Sequence, residues 1–286
     1  MTKKLFVLCC ALVLSLSCYA DIELRFGVYS ADKPSAVVRQ FHPILDELEQ
    51  SLSEELDEPV SISLQVASSY EKGMDDLISG KVDFSRFGSA SYILSKSQLN
   101  ELQILAVEDN DGVTSFNGVV CVGENSDMTS LAELRGKRFA FGDENSTIGR
   151  YLAQQALFSN GLRASDLGSY EYLGRHDKVG AAVASGLYEA GALKENTYNK
   201  LVAKGYELRK LTVLPGVPTK PWVAHPQLSG QLFNALQTVM FKLDAPEAFK
   251  ALKFTGFVPA DAANFQQVEE AILTNNRFFT PGIDVQ

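Results

Sequence analysis

The segment of this chain best suited to hold a ligand is a glycine turn followed by paired hydroxyls. Arg138-Phe139-Ala140-Phe141-Gly142-Asp143-Glu144-Asn145-Ser146-Thr147-Ile148-Gly149-Arg150 reads as a strand, a turn, an acidic and amide loop, then a hydroxyl pair opening a helix. The first amides of a helix have no internal partners and carry the positive end of its dipole. A tetrahedral oxyanion satisfies several of them at once, and Ser146 and Thr147 add hydroxyl donors. Gly149 leaves room for close approach. The plainer alternative is that Asn145 or Ser146 only caps the helix, an interaction worth about 1 kcal/mol. The Gly-Lys-Thr/Ser ending of a Walker loop is absent.

Other side chains carry two readings each. A neutral His176 imidazole donates to an oxyanion and a protonated one does so more strongly; alternatively it caps the helix after it. Tyr70 follows a strand, which favours the mouth of a cleft over a simple packing role. Arg86 suits a bidentate pair with an oxyanion or with a carboxylate such as Asp83. Glu195 fits the acidic start of a surface helix. Cys121 sits in Gly118-Val119-Val120-Cys121-Val122, the setting of a buried, inert thiol. A Ser146/His176/Asp177 triad can be drawn, but no Gly-x-Ser-x-Gly elbow accompanies it. Three scattered histidines match no metal-ligand spacing. Neither an enzyme nor a metal or other cofactor is expected.

The elements that would position these residues alternate strand and helix. Ile22, Leu24, Phe26 and Val28 alternate with polar residues, as do Val60, Ile62, Leu64 and Val66. Val37, Phe41, Ile44, Leu45, Leu48 and Leu52 follow helical spacing, with Pro43 kinking that helix or beginning it. Met74 to Ile78 predicts a short helix ended by Gly80, and residues 82–87 and 102–107 predict strands. The pattern restarts with strands at 119–122 and 138–141 and helices at 131–134, 151–158 and 179–185. Residues 208–214 read as extended, Pro215-Gly216-Val217-Pro218 as a breaker, and 232–243, 246–252 and 265–273 as helices. This order predicts an α/β protein of two discontinuous lobes: 21–112, then 113–214, then a return at 215–286 to the first. Two crossings make a hinge, and ligands collect beyond the carboxyl ends of the strands, here in the cleft.

Residues 1–20 read as an export signal. Lys3 and Lys4 precede an apolar run from Leu5 to Leu16, and Cys18-Tyr19-Ala20 offers small residues before a cut at Asp21. The run is shorter than the roughly 20 apolar residues of a membrane span. Lipid attachment at Cys18 is the alternative. Losing this segment removes three of the four cysteines and two lysines, so no disulfide framework is possible within the remainder. The net charge of −9 becomes more negative still. That balance argues against nucleic acid, which needs a basic footprint, and against anionic membranes. An anion can still bind where local backbone dipoles face it.

Three motifs together, in order and spacing, resemble the PhnD-like periplasmic binding proteins. They are Gly142 to Gly149, Arg86-Phe87-Gly88-Ser89-Ala90-Ser91-Tyr92, and Gly174-Arg175-His176 with Ala181-Ala182-Val183-Ala184-Ser185-Gly186. Proteins of this family are phosphate, phosphite and phosphonate receptors of ABC transporters, and the likeness runs from about Leu24 to about Val258. The resemblance implies a two-lobed periplasmic-binding-protein fold, each lobe a mostly parallel sheet flanked by helices, with a two-strand hinge. It implies an anion on the helix start at Ser146 and Thr147, reached by Tyr70 and His176. Arg86, Phe87, Ser89, Asn145 and Glu195 complete the expected ligand-binding set.

This chain departs from the family's phosphonate receptor in places. It has Ile148 where that receptor has a further hydroxyl, Phe87 where it has a tyrosine, and Val217 where it has an aspartate for an amino group. A family carboxylate falls at Asn196, or at Glu195 with a one-residue gap. The expected ligand is therefore phosphate, phosphite or an alkylphosphonate without an ammonium tail. The expected partner is an ABC permease in the inner membrane, and the expected state is a periplasmic monomer. A sensory protein for a membrane histidine kinase, an exported phosphoester hydrolase and a sulfonate receptor are the rival readings.

Overall fold

The computed structural model describes residues 21–29 and 34–280, so the expected export signal lies outside the described residues. Among the described residues, eleven strands form two sheets. The first sheet holds β1 (Ile22–Tyr29), β2 (Val60–Ala67), β3 (Phe84–Arg86), β4 (Gln103–Asp109), β10 (Pro221–Ala224) and β11 (Gly256–Val258), in the order β11-β4-β10-β3-β1-β2. The second holds β5 (Ser115–Gly123), β6 (Arg138–Phe141), β7 (Ser169–Tyr172), β8 (Ala190–Lys194) and β9 (Leu208–Pro218), in the order β7-β6-β8-β5-β9. Each sheet is the floor of one lobe.

In each sheet most strands run the same way, as expected, with reversed strands set among them. β1 runs parallel to β2 and β3, and β6 runs parallel to β7 and β8. The strands that arrive from a crossing run the other way. β10 enters between β3 and β4 antiparallel to both, and β5 is antiparallel to β8 and β9. A strand arriving from the other lobe enters from the opposite end, so its direction reverses.

The first core forms around an aromatic stack. Phe26 lies 4.7 Å from Trp222, centroid to centroid, and 5.0 Å from Phe84. Helix α1 (Pro34–Leu56) covers it with Phe41, Ile44, Leu45, Leu48 and Leu52, the residues whose spacing predicted the helix. Pro43 lies inside that helix, so it does not begin there. Each fully buried large apolar side chain stabilises by roughly 1.5–3 kcal/mol, and this core has many. Helices α7 (Gly230–Lys242) and α8 (Pro246–Leu252) close the same side. The second lobe is built around Val120, Phe139, Phe141, Leu152 and Leu157.

The chain leaves the first sheet after Asp109, enters the second at Ser115, and returns between Pro218 and Pro221. The breaker at 215–218 does not end β9. It lies on the edge strand of its sheet, where a proline's missing amide costs no ladder bond on the open side, and the β5 pairing shifts register there, between Phe116 and Gly118. Residues 266–279 depart from the expected assignment of 215–286 to the first lobe. Val268 and Ala271 of α9 (Gln266–Leu273) and Phe278 of α10 (Asn276–Phe279) are buried in the second lobe's core. Phe278 meets Phe141 edge-on at 6.0 Å, and Asn275 donates to Gln154 Oε1 at 2.7 Å.

Candidate functional site

Two helix starts meet at the seam between the lobes. From the first lobe comes α3 (Ser89–Gln98), which follows β3 directly through Phe87 and Gly88. From the second comes a helix that opens as a π-helical turn at Thr147–Leu152 and continues as α4 (Ala153–Ser159). The Ala90 amide donates to Thr147 Oγ1 at 2.9 Å, joining the two. Ser146 and Thr147 are both buried, and the Thr147 hydroxyl faces across the seam instead of into its own lobe.

The loop leading to the second helix start is shaped by two glycines. The Gly142 amide donates to the Gly149 carbonyl at 2.8 Å. A Cβ on Gly149 would stand 2.8 Å from Gly142 Cα, so only glycine allows this backbone crossing. Ser146 is the N-cap, its hydroxyl oxygen accepting from the Gly149 amide at 3.0 Å. The cap reading of Ser146 is therefore correct, and the cap leaves the Ser146 O–H as a donor. The Thr147 and Ile148 amides lie in the first helical turn, where amides have no partner within the helix. Asn145 stands at the shoulder of the loop, its amide bonded to Asp143 Oδ1 at 2.8 Å.

Three aromatic rings cover the seam from the first lobe. Tyr70 begins α2 (Tyr70–Ile78), whose N-cap is Ser69. Its ring stacks on Tyr29 at 4.1 Å, and Tyr29 stacks on Phe87 at 5.7 Å. The Tyr29 hydroxyl accepts from the Gly88 amide at 2.7 Å and shares a hydrogen with Ser91 Oγ at 2.7 Å. Burial pushes the Tyr29 phenol up to about 12 and raises Tyr70 as well, with the Asp143 charge adding to both. Burial likewise raises the Asp143 carboxyl. Ser89 Oγ donates to the Pro218 carbonyl at 3.1 Å, a second link across the seam. Tyr29 escaped the sequence reading; its place as the last residue of an alternating strand was the available signal.

His176 is the first residue of α5 (His176–Ala184) and lies beside the loop, 3.7 Å from a Cβ built on Gly142. Its Nδ1 is buried without a hydrogen-bond partner. Burial, with the Lys194 and Lys220 charges, lowers its pKa to about 3, so the imidazole is neutral at physiological pH. The drawn triad does not form. Asp177 is held by Arg175, with Nε donating to Oδ1 at 2.9 Å, and Ser146 serves as a cap.

Arg86 and Glu195 line the cleft farther along, around a cavity of about 510 Å³ between the lobes. Neither is open. Arg86 makes a bidentate pair with Glu108, one arm at 2.9 Å, and Asp83 pairs instead with Arg25 at 2.7 Å. Glu195 begins α6 (Glu195–Ala203) and is held by Lys210 at 2.6 Å and Asn117 at 3.2 Å. The Lys210 bond keeps its carboxyl below the usual range. The seam thus gathers Tyr70, Phe87, Ser89, Ser146, Thr147 and His176, with Asn145 at its margin, and leaves Arg86 and Glu195 on paired walls.

Two α/β lobes that close over facing helix starts make a clamp for a solute. The sequence model of the family described as "ABC transporter, phosphonate, periplasmic substrate-binding protein" matches residues 26–265. The chain belongs to that family, which is one of substrate-binding proteins of ABC transporters and not of enzymes. The probable ABC transporter phosphite binding protein PhnD1 of Prochlorococcus marinus is 25% identical over 282 residues, spanning 87% of this chain and 93% of that one. The phosphate-import protein PhnD of Mycolicibacterium smegmatis is 23% identical over 84% of this chain and 76% of its own. The solved structure of P. marinus PhnD1 in complex with methylphosphonate has a TM-score of 0.76 at 22% identity, covering 89% of this chain and 98% of that chain.

Proposed function

We infer that this protein binds a small phosphorus oxyanion at the seam and presents it, as a periplasmic monomer, to an ABC permease. The oxyanion lies on the Ser146–Thr147 helix start. There the Thr147 and Ile148 amides and two hydroxyls donate, and neutral His176 adds one ring nitrogen. Tyr70, Tyr29 and the Phe87-to-Ser91 turn cover it. Phosphate, phosphite and methylphosphonate fit this donor set, and the two carboxylates of the adjoining cavity, Glu108 and Glu195, are held by Arg86 and Lys210 instead of being offered to an ammonium tail. The observation that carries the reading is the 2.9 Å bond from Ala90 to Thr147, which sets the two helix starts face to face. The relatives that bind phosphite and phosphate support it. Export with cleavage near Ala20 belongs to the same reading.

Charge-assisted hydrogen bonds contribute about 1.5–3 kcal/mol each. Thr147→Ala should therefore weaken the tightest of phosphate, phosphite and methylphosphonate by roughly 10- to 150-fold in titration calorimetry. Unaltered affinity for all three would remove Thr147 from the site.

A further inference from the structure

The interlobe cavity is cationic although the protein is acidic. Its walls hold Arg86, Lys194, Lys200, Lys220 and Lys253 against only Glu108 and Glu195, in a chain of net charge −9. Both carboxylates are occupied. Glu108 is held by Arg86 and accepts from Trp222 Nε1 at 3.3 Å, and Glu195 by Lys210.

Lys194 stands apart from the other cations. It ends β8, and its Nζ lies 4.0 Å from the centroid of the Phe116 ring. Among the described residues no carboxylate comes within ion-pair distance of it. A half-buried ammonium with an aromatic face and only the more distant charge of Glu108, itself held by Arg86, gains from an arriving counter-charge. Burial, with Arg86 nearby, lowers its pKa to about 8.

The cavity adjoins the oxyanion seam. Lys194 pairs across the sheet with Gly118, and a Cβ on Gly118 would stand 2.4 Å from Ile148, the residue next to Thr147. Lys194 and Lys220 both act on His176. A water occupies about 30 Å³, so a cavity of about 510 Å³ far exceeds what a lone tetrahedral oxyanion fills. Asn110, Asn117 and Asn196 on its walls offer further polar contacts.

We propose that the preferred ligand is a phosphorus oxyanion whose substituent carries a second anionic group, a phosphonocarboxylate in chemical class, and that this group docks on Lys194 in the interlobe cavity. This rests on the phosphorus group lying at the Ser146–Thr147 helix start. The held Glu195 and the counterion-free Lys194 together reverse the charge preference of a site built for an ammonium tail.

Titration calorimetry on the purified protein with methylphosphonate, phosphonoacetate and 3-phosphonopropionate tests this, using wild type, Lys194→Met and Lys194→Arg. In wild type at least one phosphonocarboxylate should bind tenfold or more tightly than methylphosphonate. Lys194→Met should erase that preference while lowering methylphosphonate affinity no more than a few-fold, and Lys194→Arg should retain most of the preference. Equal or weaker binding of both phosphonocarboxylates in wild type, or a preference that survives in a folded Lys194→Met, overturns the proposal. If methylphosphonate still binds in that case, the oxyanion site itself stands. If none of the three binds, both fall.

Discussion

The two lobes bring opposite kinds of polar group to the seam they share. Those of the first lobe arrive already paired. Tyr29 holds the Gly88 amide and Ser91, Arg86 holds Glu108, and Ser89 holds the Pro218 carbonyl. On the second lobe, Glu195 is held by Lys210, but several groups arrive open. His176 Nδ1 has no partner, Lys194 has a ring but no carboxylate, and the Thr147 and Ile148 amides head a helix. Paired groups make a rigid cover, whereas open ones are held ready for charge. On the proposed function this divides the labour: the second lobe receives the anion, and the first closes over it.

Breaking a paired group should then show as lost stability, whereas changing a group that faces the anion or takes up a proton should show in ligand or proton linkage. The largest effect is expected for Arg86→Ala. Arg86 and Glu108 are only 12% and 8% exposed, and breaking a buried pair from one side costs about 3–5 kcal/mol. Urea denaturation should register that loss, while oxyanion affinity falls by less than tenfold. A large loss of affinity with stability intact would make Arg86 a ligand contact and end the contrast.

His176 is next. Its pKa of about 3 in the folded protein lies below the ordinary 6.5, so unfolding takes up a proton between those values. Its share of the stability is intact above pH 6.5 and is lost as pH falls toward 3. Lys194 and Lys220 oppose the incoming charge and Asp177 favours it. His176→Gln should flatten the acid limb of a Tm-against-pH curve; the same slope in both proteins would place the acid sensitivity elsewhere. The smallest effect is expected for Tyr70→Phe, which removes one hydroxyl worth about 1 kcal/mol. A few-fold weaker titration at unchanged Tm fits a cover that touches the anion. A lower Tm at unchanged affinity would make Tyr70 a packing residue only.

The second-lobe receptor loop was legible because its parts are contiguous. Strand, turn, hydroxyl pair and glycine follow one another within residues 138–150, and local rules read them directly. Strand β8 was not legible: Ala190-Gly191-Ala192-Leu193 is small and buried on both sides, so it lacks the alternation that marks β1 and β2. Lys194 was hidden with it. The true partner of Arg86 was hidden for a different reason. Glu108 lies on β4, separated from β3 in the sheet by β10, which the chain inserts only after visiting the other lobe. Even the edge strand through Pro215 and Pro218 follows from topology, since nothing in the local sequence says that one side of the strand has no neighbour.

Helix α9 starts beside Phe265, which is buried among first-lobe residues, and ends near Asn275, which donates to Gln154 in the second. It touches both α3 and the π-helical turn. The lobes are thus tied by three chain passages, and the third is a helix braced against both jaws. Parting them means sliding a packed cylinder as well as bending two ribbons, so letting go of a guest is mechanically coupled to the far end of the polypeptide.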